Sequence, residues 1–445
     1  MKKVSFREAF LVWLKVALYS FGGPAGQIAV MHKLIVEERK WISESRFLHA
    51  LNYCMLLPGP EAQQLITYIG WLQHKTKGGL IAGSLFILPG FIAILLLSIL
   101  YVLYSDVSFV TAMFFGIKPA VVAIVFGAVV KLGQRALKNY FSLTIAILSF
   151  VSIFFLKISF PLIIIFAGLA GFLASKITGD KFKIFQNKEV PIEEDAFELF
   201  SPKVSFLSTV KTVVLFLVIW SLPLIILIFM FHPKHILVQE MIFFSKAAVV
   251  TFGGAYSVLA YVAQQAVENY QWLMPGEMLD GLGMAETTPG PLIQVVQFVG
   301  FMGAYRFPEG IEPLVAAIIS SVLVTWVTFV PCFLFIFTGA PYIDKLRNHS
   351  GLNAALSGVT AAVIGVIVNL ALWFSIHILF KKITEINTGI FTILKPDTTT
   401  FDLPSAIVMV IAFISYFLLK LSMLLTIMIS VISGVIIYYL FKQPF

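Results

Sequence analysis

Long apolar stretches separated by short polar segments make up most of this 445-residue chain. About 20 apolar residues in an α-helix cross a bilayer core of about 30 Å, so each long stretch predicts a spanning helix. Nine stretches are uninterrupted, and four more are broken near the middle by glycine and proline. The uninterrupted stretches are 80–104, 107–130, 141–156, 159–175, 210–231, 314–337, 352–380, 403–419 and 421–441. The pattern predicts an all-α polytopic membrane protein with about 13 hydrophobic segments.

The four broken stretches are 9–31, 47–72, 241–263 and 279–304. The first and third are broken at Phe-Gly-Gly, and the second and fourth at Pro-Gly-Pro. Glycine frees the backbone and proline removes an amide donor, so both tend to end a helix. Lipid cannot satisfy the freed backbone groups, so such breaks persist only against protein or a water-filled cavity. We therefore expect re-entrant or broken helices at these motifs.

The broken stretches belong to one cassette that occurs twice, 231 residues apart. The first copy contains Lys15, Phe21, Gly22, Gly23, Glu37, Trp41, Pro58, Gly59, Pro60 and Gln63. The second copy contains Lys246, Phe252, Gly253, Gly254, Glu268, Trp272, Pro289, Gly290, Pro291 and Gln294. Internal duplication within a membrane protein is typical of transporters.

The number of segments predicts how the two copies are oriented. The N-terminal repeat, 1–175, contains six segments and so begins and ends on one side of the membrane. A polar linker and one connecting helix over 176–235 then place the C-terminal repeat, 236–445, upside down, as inverted-topology repeats require. With a cytoplasmic N-terminus and re-entrant hairpins, 21 Lys and Arg lie inside and seven outside, which fits the positive-inside rule. Fully spanning segments would give 17 and 11, so hairpins are favoured while full crossing stays open.

Composition excludes several other classes of protein. The chain is 59% hydrophobic and 12% charged, against about 25% charged in soluble domains. The net charge of +8 lies in loops between apolar spans, which argues for membrane topology rather than nucleic-acid binding. Cys54 and Cys332 are too few for a disulfide framework or a metal cluster. The sequence contains no phosphate-binding loop, redox motif or nucleophile triad, so we expect no cofactor, no metal and no enzyme activity.

The breaks suggest an anion site. A helix that starts after a break presents unpaired amide groups and the positive end of its dipole, and such starts bind anions. Starts after Gly23, Pro60, Gly254 and Pro291 would converge if the halves fold as inverted copies. Candidate substrate-binding residues are therefore Phe21, Gly22, Gly23, Pro58, Gly59, Pro60, Phe252, Gly253, Gly254, Pro289, Gly290 and Pro291.

Polar side chains near the breaks extend this hypothesis. Lys15 and Lys246 would place two ammonium groups in one cavity, or would instead snorkel to an interface. Gln63 and Gln294 offer neutral amide donors, with helix-to-helix hydrogen bonding as the alternative. Gln27 and His32 have no counterpart in the second copy, and His32 has an interfacial position as its alternative.

Two acids flank the Pro-Gly-Pro breaks at different positions. An ionised carboxylate repels an anion and a protonated one does not, so Glu61 and Glu286 are candidates for proton coupling. Helix capping for Glu61 and a buried pair for Glu286 are the alternatives. The repeated Glu37 and Trp41 predict a capping acid beside an interfacial tryptophan anchor.

Together the motifs resemble the chromate ion transporter (CHR) family in its long-chain, two-domain form. The resemblance rests on Ser20-Phe-Gly-Gly-Pro24, Leu57-Pro-Gly-Pro60, Thr251-Phe-Gly-Gly254 and Gly283-Met-Ala-Glu-Thr-Thr-Pro-Gly-Pro291. It spans both halves apart from 176–235, and it implies chromate efflux, a bacterial-type inner membrane and transport of sulfate as well.

The sequence thus predicts a secondary transporter that exports a tetrahedral oxyanion, chromate before sulfate, by alternating access. Its partners would be that oxyanion and the lipid bilayer. An oxyanion-selective channel and a sulfate importer remain as alternatives, and the sequence leaves open whether the chain forms a homodimer.

Overall fold

The structure, a computed structural model, describes residues 4–55, 57–178, 206–252, 254–339 and 350–441. The helices of the first half are α1 (Phe6–Tyr19), α2 (Gly23–Met31), α3 (Glu44–Cys54), α4 (Glu61–Tyr104), α5 (Ser108–Ala136), α6 (Tyr140–Phe154) and α7 (Phe160–Thr178). Short helices α1 and α2 flank the first break, short α3 and long α4 flank the second, and longer helices follow. A π-helical turn, His32–Glu38, extends α2. The connecting helix is α8 (Phe206–Met230), and most of the predicted polar linker lies outside the described residues.

The second half follows the same order. Its helices are α9 (Ile236–Val250), α10 (Ala255–Gln264), α11 (Pro275–Thr287), α12 (Val295–Arg306), α13 (Pro313–Gly339), α14 (Ser350–Leu379), α15 (Leu403–Phe413) and α16 (Met423–Phe441). π-Helical turns, Gln265–Asn269 and Ile414–Leu418, extend α10 and α15, and a 3-10 turn, Leu292–Gln294, precedes α12.

Seven helices in the described part of the chain are long and apolar enough to span a membrane, namely α4, α5, α7, α8, α13, α14 and α16. Two shorter apolar helices, Tyr140–Phe154 and Leu403–Leu418, complete the nine uninterrupted stretches. Leu88, Leu96 and Leu100 on α4 are about half exposed, as side chains that face lipid are. The chain is an all-α polytopic membrane protein, as predicted.

The helices on either side of each first-half break fold back as hairpins. Glu8, near the start of α1, lies 3.5 Å from Arg39, just after the π-helical turn that ends α2. The α1–α2 segment therefore returns to the end from which it started. The Phe6 ring also lies 5.3 Å from the His74 ring, so the chain returns to this end again after α3 and the first arm of α4.

Helix α4 is itself two arms joined by a reversal. The backbone leaves helical geometry at His74 and Lys75, and Lys75 has φ +56°. The arms then pack closely, because a Cβ at Gly70 would lie only 2.6 Å from the Gly78 carbonyl oxygen. The predicted span over 80–104 is the body of the second arm, which is about 44 Å long at 1.5 Å per residue.

The second-half hairpins begin at the other end of that long arm. Tyr101, near its end, donates a hydrogen bond to Asp280 in the first turns of α11 (3.0 Å). Arg306, at the end of α12, donates to both carboxylate oxygens of Glu277 (2.9 and 3.0 Å). The two pairs of hairpins therefore enter the molecule from opposite ends.

The remaining helices interleave the two halves. Helix α5 packs against α15 and α16, and its counterpart α14 packs against α6 and α7. A two-stranded antiparallel hairpin that the sequence did not predict, β1 (Ile383–Thr388) and β2 (Phe391–Pro396), follows α14. Its Thr392 amide donates to the Phe155 carbonyl (2.8 Å), which fixes it over the α6–α7 loop.

Candidate functional site

The four breaks meet in the interior and bond to one another in pairs. The Gly59 amide donates to the Thr251 carbonyl (2.7 Å), and the Gly290 amide donates to the Ser20 carbonyl (3.0 Å). Gly59 and Gly290 occupy equivalent positions of the repeat, as do Ser20 and Thr251. Each Pro-Gly-Pro break is thus held by the residue that precedes Phe-Gly-Gly in the other half, and the exchange is reciprocal.

The two Phe-Gly-Gly breaks begin with the same turn. The Phe21 amide donates to the carbonyl two residues earlier (3.0 Å), and the Phe252 amide does the same (3.1 Å). These tight turns stop α1 and α9 and redirect the chain into α2 and α10. Both phenylalanine side chains are half-buried.

The Pro-Gly-Pro breaks are closed by packing. Gly59 has φ +116°, and a Cβ there would lie 2.9 Å from the Cys332 Sγ. Gly290 has φ +98°, and a Cβ there would lie 3.1 Å from the Gly90 Cα. Only glycine tolerates this backbone at so close an approach. The helix starts after Pro60 and Pro291 therefore leave no room beside their glycines for an anion.

The Phe-Gly-Gly breaks are open. No heavy atom of the described residues lies within 4 Å of a Cβ built on Gly22 (φ +87°), chain neighbours aside. The Tyr256 hydroxyl alone lies within 4 Å of a Cβ built on Gly23 (φ +68°), at 3.9 Å, among the described residues. Near a Cβ built on Gly254 (φ +97°) there are only the two carboxylate oxygens of Glu61, at 3.6 Å each. Gly253 lies outside the described residues. The space before α2 thus faces a hydroxyl from the second half, and the space before α10 faces a carboxylate from the first.

Both predicted acids therefore lie at the open breaks. Glu286 is 1% exposed, and its Oε1 accepts a hydrogen bond from the Tyr256 hydroxyl. Its Oε2 has no partner in the part of the chain that the structure describes. Glu61 keeps some accessible surface although protein surrounds it. No described cation forms an ion pair with either carboxyl group.

The predicted glutamine donors are engaged with protein. Gln27 Nε2 donates to the Gly290 carbonyl (2.7 Å), so it ties α2 to a Pro-Gly-Pro break. Gln63 Nε2 donates to the Thr67 hydroxyl one turn along α4 (3.1 Å). Gln294 Nε2 donates within α12 and to α13, so Gln63 and Gln294 fit the alternative of bonding between or within helices. The side-chain atoms they leave unpaired are carbonyl oxygens, which do not attract anions.

The predicted lysines lie on exposed helix faces. Lys15 is exposed, and Leu11 and Leu18 on the same face of α1 are 57% and 48% exposed. Lys246 is exposed on α9 beside exposed Val249. Apolar neighbours on the same surface favour snorkelling over a shared internal chamber.

His32 lies at the far end of α2 from the open glycines. Nine residues of helix separate it from Gly23, about 14 Å. Its ring nitrogens contact the carboxylates of Glu37 (3.1 Å) and Glu44 (2.5 Å). It forms part of a polar cluster at the end of the molecule where α1 begins.

The repeated acid and tryptophan have other roles than predicted. Trp41 and Trp272 are 1% and 2% exposed, so the prediction of interfacial anchors is wrong. Glu268, the counterpart of Glu37, contacts the Lys157 ammonium, which also reaches Glu385 on the β-hairpin (3.1 Å each). Burial lowers the pKa of Lys157, but the two carboxylates raise it by more, so the net shift is upward.

Sequence reasoning missed Tyr256 and the pairing of Lys118. Position 25, the first-half counterpart of Tyr256, is alanine, so the repeat comparison gave no signal for the tyrosine. Lys118 lies 3.4 Å from Asp280, which is almost fully buried. The first-half counterpart of Asp280 is His49, so the repeat comparison gave no signal for this aspartate either.

Comparison with known proteins matches both halves of this architecture. A family model described as "Chromate transporter" covers residues 7–172 and 238–436 and leaves out the linker and α8. The chain belongs to the chromate transporter family. Its members are transporters, so the protein is a multi-pass membrane transporter and not an enzyme.

The chain is similar to curated proteins that match from 41% to 98% of its length. The "Chromate transport protein" of Cupriavidus metallidurans is 27% identical over 82% of this chain and 81% of its own length. The "Probable chromate transport protein" of Synechococcus elongatus is 26% identical over 98% of this chain and 96% of its own. The "Uncharacterized transporter YwrB" of Bacillus subtilis is 29% identical over 41% of this chain but 96% of its own, so it has the size of one half. No solved structure matches the chain.

Proposed function

We propose that the protein exports chromate, or another tetrahedral dianion such as sulfate, across a bacterial inner membrane by secondary transport. The observation that carries the proposal is the pair of open helix starts at Gly23 and Gly254. Each offers unpaired amides and a dipole end equivalent to about +0.5 charge. Family membership and relatives named chromate transport proteins support the choice of substrate.

The two halves would act as inverted repeats. A reciprocal exchange of hydrogen bonds between equivalent residues is what a twofold relation produces, and here the hairpins of the two halves enter from opposite ends. Movement of one half against the other would then expose the central breaks to each side in turn, which is alternating access. The cytoplasmic N-terminus rests on the excess of Lys and Arg on that side.

Glu61 and Glu286 would supply proton coupling. A dianion cannot approach two ionised carboxylates without compensation, because like charges in a medium of low dielectric repel strongly. We infer that the anion binds when at least one of these groups carries a proton. Chromate and one proton leaving together carry one net negative charge, and export of that charge gains about 2.3 kcal/mol per 100 mV.

Flux measurements in proteoliposomes test the proposal. We expect saturable chromate flux that increases with an imposed voltage, positive on the side to which chromate moves, and that sulfate competes. Gly254→Leu, which fills the open space before α10, should abolish flux. Gly310→Leu is the matched control, because Gly310 also has a positive φ (+92°) with no atom within 4 Å but lies in the α12–α13 loop. Flux that does not saturate would indicate a channel, and flux unchanged in Gly254→Leu would exclude this site.

A further inference from the structure

The Tyr256 hydroxyl lies between a buried acid and the open space before α2. It donates a hydrogen bond to Glu286 Oε1. It is also the only described side-chain atom within 4 Å of the Cβ position of Gly23. Tyr256 keeps some accessible surface although protein surrounds it, so the residue is not sealed off from a small ligand.

We propose, on the basis of the function proposed above, that the Tyr256 hydroxyl is a ligand of the transported oxyanion and that protonation of Glu286 releases it for that role. A phenol has a single proton to donate. While Glu286 is ionised it accepts that proton, so the phenol oxygen presents only lone pairs to the space before Gly23. An oxyanion there meets an acceptor and is repelled.

One proton reverses the direction of this hydrogen bond. A protonated carboxyl group has its own O–H donor, which can donate to the phenol oxygen. The Tyr256 hydroxyl is then free to donate to an oxyanion at the start of α2. The protein binds a proton from solution at Glu286 and gains one anion ligand at a site several ångströms away.

The surroundings of Glu286 support this assignment. Its Oε2 lacks a partner in the described residues, so a group remains to be satisfied inside a site where the side chain is 1% exposed. The ionisable groups that face Tyr256 are Glu286 and Tyr416. Tyr416 in turn accepts a hydrogen bond from Lys131 (3.2 Å), which is exposed. Glu61 faces the neighbouring Gly254 and has no hydroxyl between it and the break.

Two variants that alter the same hydrogen bond, one by removing its donor and one by reversing its direction, should behave in opposite ways. Tyr256→Phe lacks the donor, so the KM for chromate should be high at every pH. Hydrogen bonds to charged groups are worth about a ten- to hundredfold change in affinity. Glu286→Gln has an amide that donates to the phenol oxygen as the protonated acid does. Its KM should remain low at alkaline pH, where the KM of the wild type rises.

Chromate flux in proteoliposomes from pH 6 to 9 tests the proposal, with KM and kcat measured separately. Tyr261→Phe on the same helix is the control, because it removes a hydroxyl from a ring packed against Phe160 and Phe243, and it should follow the wild type. Size-exclusion profiles of each variant establish folding. The proposal is overturned if the wild-type KM does not depend on pH, if Tyr256→Phe follows the wild-type profile, or if both variants change in the same direction. A wild-type protein without saturable flux would instead refute the proposed function.

Discussion

The two Phe-Gly-Gly breaks have the same sequence motif and the same backbone turn, but they face different chemistry. The first faces a tyrosine hydroxyl, and the second faces a carboxylate. A hydroxyl can donate to an anion, whereas an ionised carboxylate can only accept. The repeated sequence thus produces the same turn in both halves. Single side chains that differ between the repeats give the two breaks different chemistry.

A second contrast separates the open breaks from the closed ones. The Pro-Gly-Pro glycines pack against the long helices α4 and α13, at Gly90 and Cys332, and each of these residues directly follows the proline inside its helix. These contacts and the reciprocal hydrogen bonds join the two halves at the closed breaks. The closed pair therefore serves as the frame that holds the open pair in place.

The largest effect should come from disturbing this frame. Gly290→Ala places a Cβ 3.1 Å from Gly90 on a backbone with φ +98°. Left-handed geometry costs about 1–2 kcal/mol for a residue other than glycine, and overpacking adds about 1–3 kcal/mol. We expect a thermal midpoint in detergent that is several degrees lower and little transport. Gly22→Ala has a similar φ but open space, so it should lose less stability; equal losses would remove the distinction between open and closed breaks.

Neutralising the acid at the second break should change affinity without unfolding the protein. Glu61→Gln removes a negative charge 3.6 Å from the Gly254 Cβ position. We expect the KM for chromate at alkaline pH to fall by about tenfold, since repulsion of about 1.4 kcal/mol corresponds to that factor. Glu312→Gln, at an exposed helix start, is the matched control. A KM that is the same in both variants would show that Glu61 does not face the anion.

The elements of this fold were predictable because they depend on local sequence. Apolar length gives the spans, and glycine with proline gives the breaks, wherever the chain later packs. The rotation of each helix was not predictable, because the faces toward lipid and toward protein are both apolar. The sequence therefore left both an internal chamber and snorkelling open for Lys15, and Leu11 and Leu18 now place it on an exposed face.

The differences in packing and in facing side chains between the breaks could not be predicted from the sequence. Which helix starts are closed depends on Gly90 and Cys332, which lie far along the chain from the glycines they meet. Tyr256 was not identified because its counterpart is alanine, and a search for repeated residues passes over such positions. Repeated residues in a duplicated sequence thus predict the backbone breaks more readily than the side chains that lie beside them.

The lysines offer a smaller and more direct test of the two interpretations. If Lys15 and Lys246 face lipid, then Lys15→Met and Lys246→Met should each leave chromate flux within about twofold of the wild type. Methionine keeps the apolar stem that a snorkelling lysine buries. The measurement is initial flux in proteoliposomes, normalised to inserted protein. A tenfold or greater loss of chromate flux in both variants would show that the two lysines act at the anion site, contrary to their exposed positions.

The smallest effect should come from the end of the molecule where the β-hairpin lies. Lys157 joins Glu268, at the end of α10, to Glu385 on the hairpin. Because its pKa is raised, this contribution is complete below the ordinary lysine pKa and is lost only as the pH rises through the higher folded value. A partly exposed pair is worth about 0.2–1 kcal/mol, so Lys157→Met should speed hydrogen exchange in residues 383–396 by about two- to fivefold at neutral pH and leave the open breaks unaffected. Faster exchange at α10 as well would mean that this contact also steadies the helix that starts at Gly254, and would connect the hairpin to the transport site.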